Sequence, residues 1–110
     1  MELHIAELGT ASKVSLVGRL DTPGVDQIET RFLAGVTPAG RHTLVDLSEV
    51  SFISSMGIRM LLGAARALSL KKAKMVLYGA QPMVAASLEQ TIKAIVPLAP
   101  DEAAALDLLR

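Results

Sequence analysis

Ser54 and Ser55 stand side by side between a compact apolar run, Thr43-Leu44-Val45-Asp46-Leu47, and a stretch whose Ile58, Leu61, Leu62, Ala65 and Leu68 recur at helical spacing. A hydroxyl where a strand hands over to a helix meets free backbone N–H groups and the positive end of the helix dipole, a placement suited to carrying a phosphate. Phosphorylation would bring about −1.5 to −2 charges to a chain whose formal net charge is zero. The same placement serves a plain helix N-cap, the commonest use of a serine at such a point. Enzymatic chemistry is poorly provided for. Ser55 on a strand-to-helix turn loosely resembles a nucleophile elbow, but G-x-S-x-G is absent and His4 and His42 have no motif around them. Two histidines without a ligand-spaced third donor make no metal site, and there is no cysteine. No G-x-G-x-x-G or G-K-[ST] loop is present, so a nucleotide for any phosphorylation is expected on a partner. The expectation is a binding protein rather than an enzyme, with no cofactor and no metal.

The elements that must position this junction follow from the remaining pattern. At 110 residues the chain fits one domain, residues 1–110, without repeats or linker-like runs. Apolar residues make up 51% and aromatic ones only 3%, so the core is expected to be aliphatic, as in helices layered on a sheet. Eleven basic residues against eleven acidic ones leave no electrostatic footprint for nucleic acid. The N-terminus lacks the look of a secretory signal and no stretch has the apolar length of a membrane span, so a cytoplasmic protein without membrane insertion is expected.

Lys13 to Leu20 reads as a strand, preceded by a weaker one over Leu3 to Leu8, the two joined as a hairpin through Gly9-Thr10. Thr22-Pro23 opens a helix, with threonine as the cap and Val25, Ile28, Phe32 and Val36 on one face. Thr43 to Leu47 is a central strand followed by a turn over Ser48 to Ser51 and a short loop into the helix at Ser55. Met75 to Tyr78 is the next strand, Pro82 starts a helix running to Thr91, Ala94 to Leu98 is a short last strand, and Asp101 to Arg110 a last helix. Alternating strands and helices give an α/β sheet layered with helices.

The stretch from Thr43 to Ala65 resembles the signature of STAS domains, specifically of bacterial anti-sigma-factor antagonists: a strand, D-L-S, a loop ending in an aromatic residue, then D-S-x-G and a helix. The matching residues are Asp46-Leu47-Ser48, Phe52 and Ser54-Ser55-Met56-Gly57, while Gly18-Arg19-Leu20-Asp21 matches an earlier G-x-L-D. The resemblance spans nearly the whole chain. It implies a STAS fold, a mixed four- to five-stranded sheet with about four helices. It also implies a partner-switching role in transcription regulation: the unphosphorylated protein binds an anti-sigma factor that is also a serine/threonine kinase, a sigma factor is released, and phosphorylation ends the contact. A phosphatase would reset the switch. The acceptor position falls on Ser55. The family acid before it is replaced by Ser54, which makes Ser54 an alternative acceptor and leaves open a constitutive STAS subunit of a larger complex, such as a lipid-transport ATPase assembly or a stress-signalling scaffold.

On this reading the partner-binding residues are Asp21, Ser54, Ser55, Met56, Gly57 and Arg59, and each also has an ordinary structural use. Asp21 and Asp46 are placed for capping or turn formation, Gly57 for close packing of the helix start, and Met56, Met60 and Met83 for filling the core. Arg59, one turn from Ser55, suits a solvated helix face or a pairing with acidic groups or phosphate.

Overall fold

The computed structural model describes residues 1–110. Nine elements follow in order: β1 (Glu2–Leu8), β2 (Ala11–Leu20), α1 (Thr22–Val36), β3 (Thr43–Ile53), α2 (Ser55–Leu70), β4 (Met75–Tyr78), α3 (Pro82–Thr91), β5 (Leu98–Ala99) and α4 (Glu102–Leu109). Gly9, at φ 64°, supplies the left-handed turn that folds β1 back on β2. The strands lie side by side in chain order; β1 is antiparallel to β2, and every other pairing is parallel. This is the α/β architecture with a mixed five-stranded sheet and four helices expected from the resemblance.

Alternation along the strands sends Val14, Leu16, Val45, Leu47, Met75 and Leu77 to one face, where they join Val25, Ile28, Phe32, Leu61, Leu68, Val84 and Leu88 of α1, α2 and α3 in the main core. Leu44, Val76 and Tyr78 point the other way and pack with Ala105 of α4 in a smaller cluster. Phe32, the largest fully buried side chain, anchors the α1 layer; burying such a side chain stabilises the fold by about 1.5–3 kcal/mol. Because β2, β3 and β4 are parallel, their C-terminal ends and the starts of α1, α2 and α3 share one edge of the sheet.

Several local readings need correction. The expected turn over Ser48 to Ser51 is strand: β3 runs on to Ile53 and carries two irregularities against β2, one between the Ser15–Asp46 and Val17–Glu49 pairings and one between Gly18–Val50 and Arg19–Phe52. At the first, Asp46 Oδ1 accepts the Ser48 amide at 2.9 Å, so turn chemistry appears inside the strand as a bulge. The expected short loop before α2 is the single residue Ser54. The cap of α1 is Asp21 and not Thr22. The last strand is Leu98–Ala99, and Ala94 lies in the preceding turn. The buried stripe of α2 is Gly57, Met60, Leu61, Ala64 and Leu68, turned from the expected one. No helix is long and apolar enough to cross a membrane.

Candidate functional site

The edge where β2 and β3 end and α1 and α2 begin holds every residue proposed for partner binding. Ser54 is the N-cap of α2. Its hydroxyl accepts the Gly57 amide at 3.3 Å and donates to the Leu20 carbonyl at 3.1 Å, while its own amide donates to the same carbonyl at 2.9 Å. Both functions of this hydroxyl are therefore engaged in joining α2 to the end of β2. Ser55, the first helical residue, is exposed and its hydroxyl has no hydrogen-bond partner within the chain. The Ser55 and Met56 amides also lack intrachain acceptors, as expected of the first turn of a helix that continues to Leu70. An anion on Ser55 would meet these amides and the positive end of the dipole.

Gly57 is buried, and a Cβ there would stand 2.8 Å from both Leu20 O and Leu20 Cγ. Close approach to the end of β2 is thus sufficient reason for this glycine. Met56 is 38% exposed beside Ser55. Arg59, one turn along, is exposed, has no carboxylate partner, and lines a cleft of about 560 Å³ with Glu29, Leu33 and Pro38. Asp21 caps α1, with Oδ1 accepting the Gly24 amide at 2.9 Å and Oδ2 accepting Arg19 Nε at 3.2 Å. The Gly24 amide, with help from the Arg19 guanidinium, holds the Asp21 carboxyl below its ordinary value. Asp21 lies at the rim of the site as a cap.

Three residues at this edge were not among those expected to form the site, although Arg19 and Phe52 belong to the motifs. Arg19 stacks on the Phe52 ring at 4.5 Å from its centroid, placing a cation and an aromatic face at the ends of β2 and β3. Met83, expected in the core, is 74% exposed and shares a small cleft with Phe52 and Ile53. Their pairing across strands leaves no local signal, although the neighbouring motif residues mark the edge on which they meet. Away from the site, His42 Nδ1 accepts the Lys74 amide at 2.9 Å, a structural use for one of the two histidines.

Residues 3–105 match the STAS domain family. The chain belongs to the STAS domain family. Among solved structures it is similar to an anti-sigma-factor antagonist (STAS) domain protein from Planctomyces limnophilus, at 24% identity and TM-score 0.88, over 98% of this chain and 97% of that one. An RsbS variant from Moorella thermoacetica matches at 22% identity and TM-score 0.79, over 99% and 95% of the two chains. The Bacillus cell-fate determinant SpoIIAA in its phosphorylated form matches at 20% identity and TM-score 0.71, over 99% and 100%. Likenesses at this level of identity establish the STAS fold. No curated protein sequence matches.

Proposed function

We propose that this STAS domain is an anti-sigma-factor antagonist that captures an anti-sigma factor with serine/threonine kinase activity through the edge around Ser55, and that phosphorylation of Ser55 ends the capture. The observation that carries the reading is the difference between the two serines. The Ser54 hydroxyl is tied into the helix cap, whereas that of Ser55 is exposed and unbonded at the same helix start. Similar folds include SpoIIAA, described as an anti-sigma factor antagonist and solved in both unphosphorylated and phosphorylated forms. The kinase supplies the nucleotide, a phosphatase restores the free hydroxyl, and the domain acts in the cytoplasm by binding rather than by catalysis.

The physical basis of the switch is charge. A contact of standard size buries about 800 Å² per partner. A dianion set among Met56, Arg59 and the first turn of α2 brings desolvation and repulsion into its middle. Paired binding measurements test this: Ser55→Ala should hold the anti-sigma factor kinase as the parent does, and Ser55→Asp should bind it at least tenfold more weakly. Equal affinity of the two variants would contradict the switch and favour a constitutive STAS subunit. Turnover of an activated ester that disappears in Ser55→Ala would contradict the non-enzymatic reading.

A further inference from the structure

Overall neutrality hides a marked separation of charge. No aspartate or glutamate occurs between Glu49 and Glu89, a stretch that holds Arg59, Arg66, Lys71, Lys72 and Lys74. Four ion pairs engage Lys13, Arg19, Arg41 and Arg110. Of the cations that form no ion pair with a side-chain carboxylate, Arg66, Lys71, Lys72, Lys74 and Lys93 lie toward the edge opposite Ser55, where α2 and α3 end and β4 and β5 begin. Lys71 Nζ donates to the Pro38 carbonyl at 3.2 Å, Lys74 Nζ to the Arg110 backbone oxygen at 3.4 Å, and Glu89 lines a cleft with Lys93. Lys72 takes a left-handed conformation, φ 61°, which turns the chain sharply after α2 and puts three lysines within four residues at its tip.

Cations after helix C-termini have an ordinary explanation in the negative end of the dipole, which covers Lys71, Lys72 and Lys93. It does not explain the apolar side chains left among them. Leu70, the last residue of α2, is 89% exposed, and Ile95, in the turn before β5, is 55% exposed. A cleft of about 360 Å³ brings Ile95 and Pro97 together with Arg66, Ser69 and Lys74. Projecting aliphatic side chains among cations that form no side-chain ion pair, most of them in the acid-free stretch between Glu49 and Glu89, combine the two attractions that hold a protein on an anionic bilayer.

We infer that this end of the domain docks on an anionic membrane surface, with Leu70 and Ile95 entering the headgroup layer and Arg66, Lys71, Lys72, Lys74 and Lys93 meeting the anionic headgroups. Two features favour a bilayer over an acidic protein segment or a nucleic acid. Leu70 projects almost wholly into solvent, where a soft headgroup layer can receive it. No aromatic residue occurs in the segments concerned to stack on bases. Docked in this way, the domain keeps the opposite edge, with Ser55, directed away from the membrane. The inference does not depend on phosphorylation of Ser55.

Co-sedimentation with vesicles tests it. The full chain should pellet with vesicles of equal parts phosphatidylcholine and phosphatidylglycerol, remain in solution with phosphatidylcholine alone, and be released by high salt. Each lysine near an anionic surface is worth roughly a fivefold change in partitioning. Lys72→Gln/Lys93→Gln should therefore bind roughly twenty-five-fold more weakly, and adding Leu70→Ser should weaken it further. All three side chains are exposed, so an unchanged circular dichroism spectrum and thermal midpoint will certify the fold. Arg31→Gln, which loses one charge elsewhere on an exposed residue, should sediment like the parent, whereas the charge-matched Lys72→Gln should bind roughly fivefold more weakly. Failure to pellet with anionic vesicles, equal binding to both vesicle types, an equal loss in the two charge-matched variants, or binding to polyglutamate without binding to vesicles would each overturn the proposal.

Discussion

Helices α1 and α2 start at the same edge of the sheet by the same construction, and their difference shows where an anion is welcome. Each has an N-cap in extended conformation whose side chain accepts the amide three residues on: Asp21 from Gly24 at 2.9 Å, and Ser54 from Gly57 at 3.3 Å. Each places a buried glycine at that third position, close to a carbonyl near the end of β2. At α1, however, the cap is already a carboxylate paired with Arg19, and Pro23 in the first turn has no N–H to offer. At α2 the cap is neutral, two amides stay free, and the first helical residue is an exposed serine. The α1 start is electrostatically closed, and the α2 start is open to negative charge.

The comparison can be broken most forcefully at the glycines. A Cβ on Gly24 would collide with the Arg19 carbonyl oxygen, so Gly24→Ala should cost about 3 kcal/mol in denaturant unfolding despite the better helix propensity of alanine. Gly57→Ala meets Leu20 O and a movable leucine side chain at 2.8 Å and should cost less, about 2 kcal/mol. The opposite order would mean that the two starts are not packed alike. Ser54→Ala removes both the cap and the bond to Leu20 and should lower stability by about 1 kcal/mol, read from the same unfolding curves. A loss below the resolution of the measurement would mean that the Ser54 hydroxyl does not hold the helix start.

The smallest effect is a pH dependence at α1. The folded state holds the Asp21 carboxyl below its ordinary value of 3.8. Its contribution is therefore fully present above that value and is lost as pH falls through the depressed one. Asparagine keeps an acceptor for Gly24 but does not titrate. The stability gap between the parent and Asp21→Asn should be constant near neutrality and close in the acid range. A gap independent of pH down to acid unfolding would remove the charge from the account of the α1 start.

Much of this construction was legible in the sequence because it is local. The face Val25, Ile28, Phe32 and Val36 repeats at helical spacing and is fully buried, and Gly9-Thr10 gives the hairpin. What misled was chemistry shared between two structures. Asp46-Leu47-Ser48 has the composition of a turn, and Asp46 does accept the Ser48 amide as in a turn, but within a bulged strand that parallel pairing with β2 keeps extended to Ile53. At the start of α1, Thr22 and Asp21 are both good caps and Pro23 suits either choice, so only the bond to Gly24 distinguishes them. The stripe of α2 is turned because the helix meets α1 as well as the sheet, giving Met60 and Ala64 buried places outside a simple one-sided pattern. At the candidate site, the junction serines and the glycine stand in one run of sequence. The Arg19–Phe52 stack and the exposure of Met83 depend on segments that only the folded sheet brings together.

The most direct measurement is phosphosite mapping by mass spectrometry on the protein recovered from the cells that make it, during growth and under stress. The account predicts phosphate on Ser55, changing with condition, and none on Ser54, whose hydroxyl is engaged on both sides. Phosphate confined to Ser54, or neither serine modified in well-covered peptides from both conditions, would contradict it.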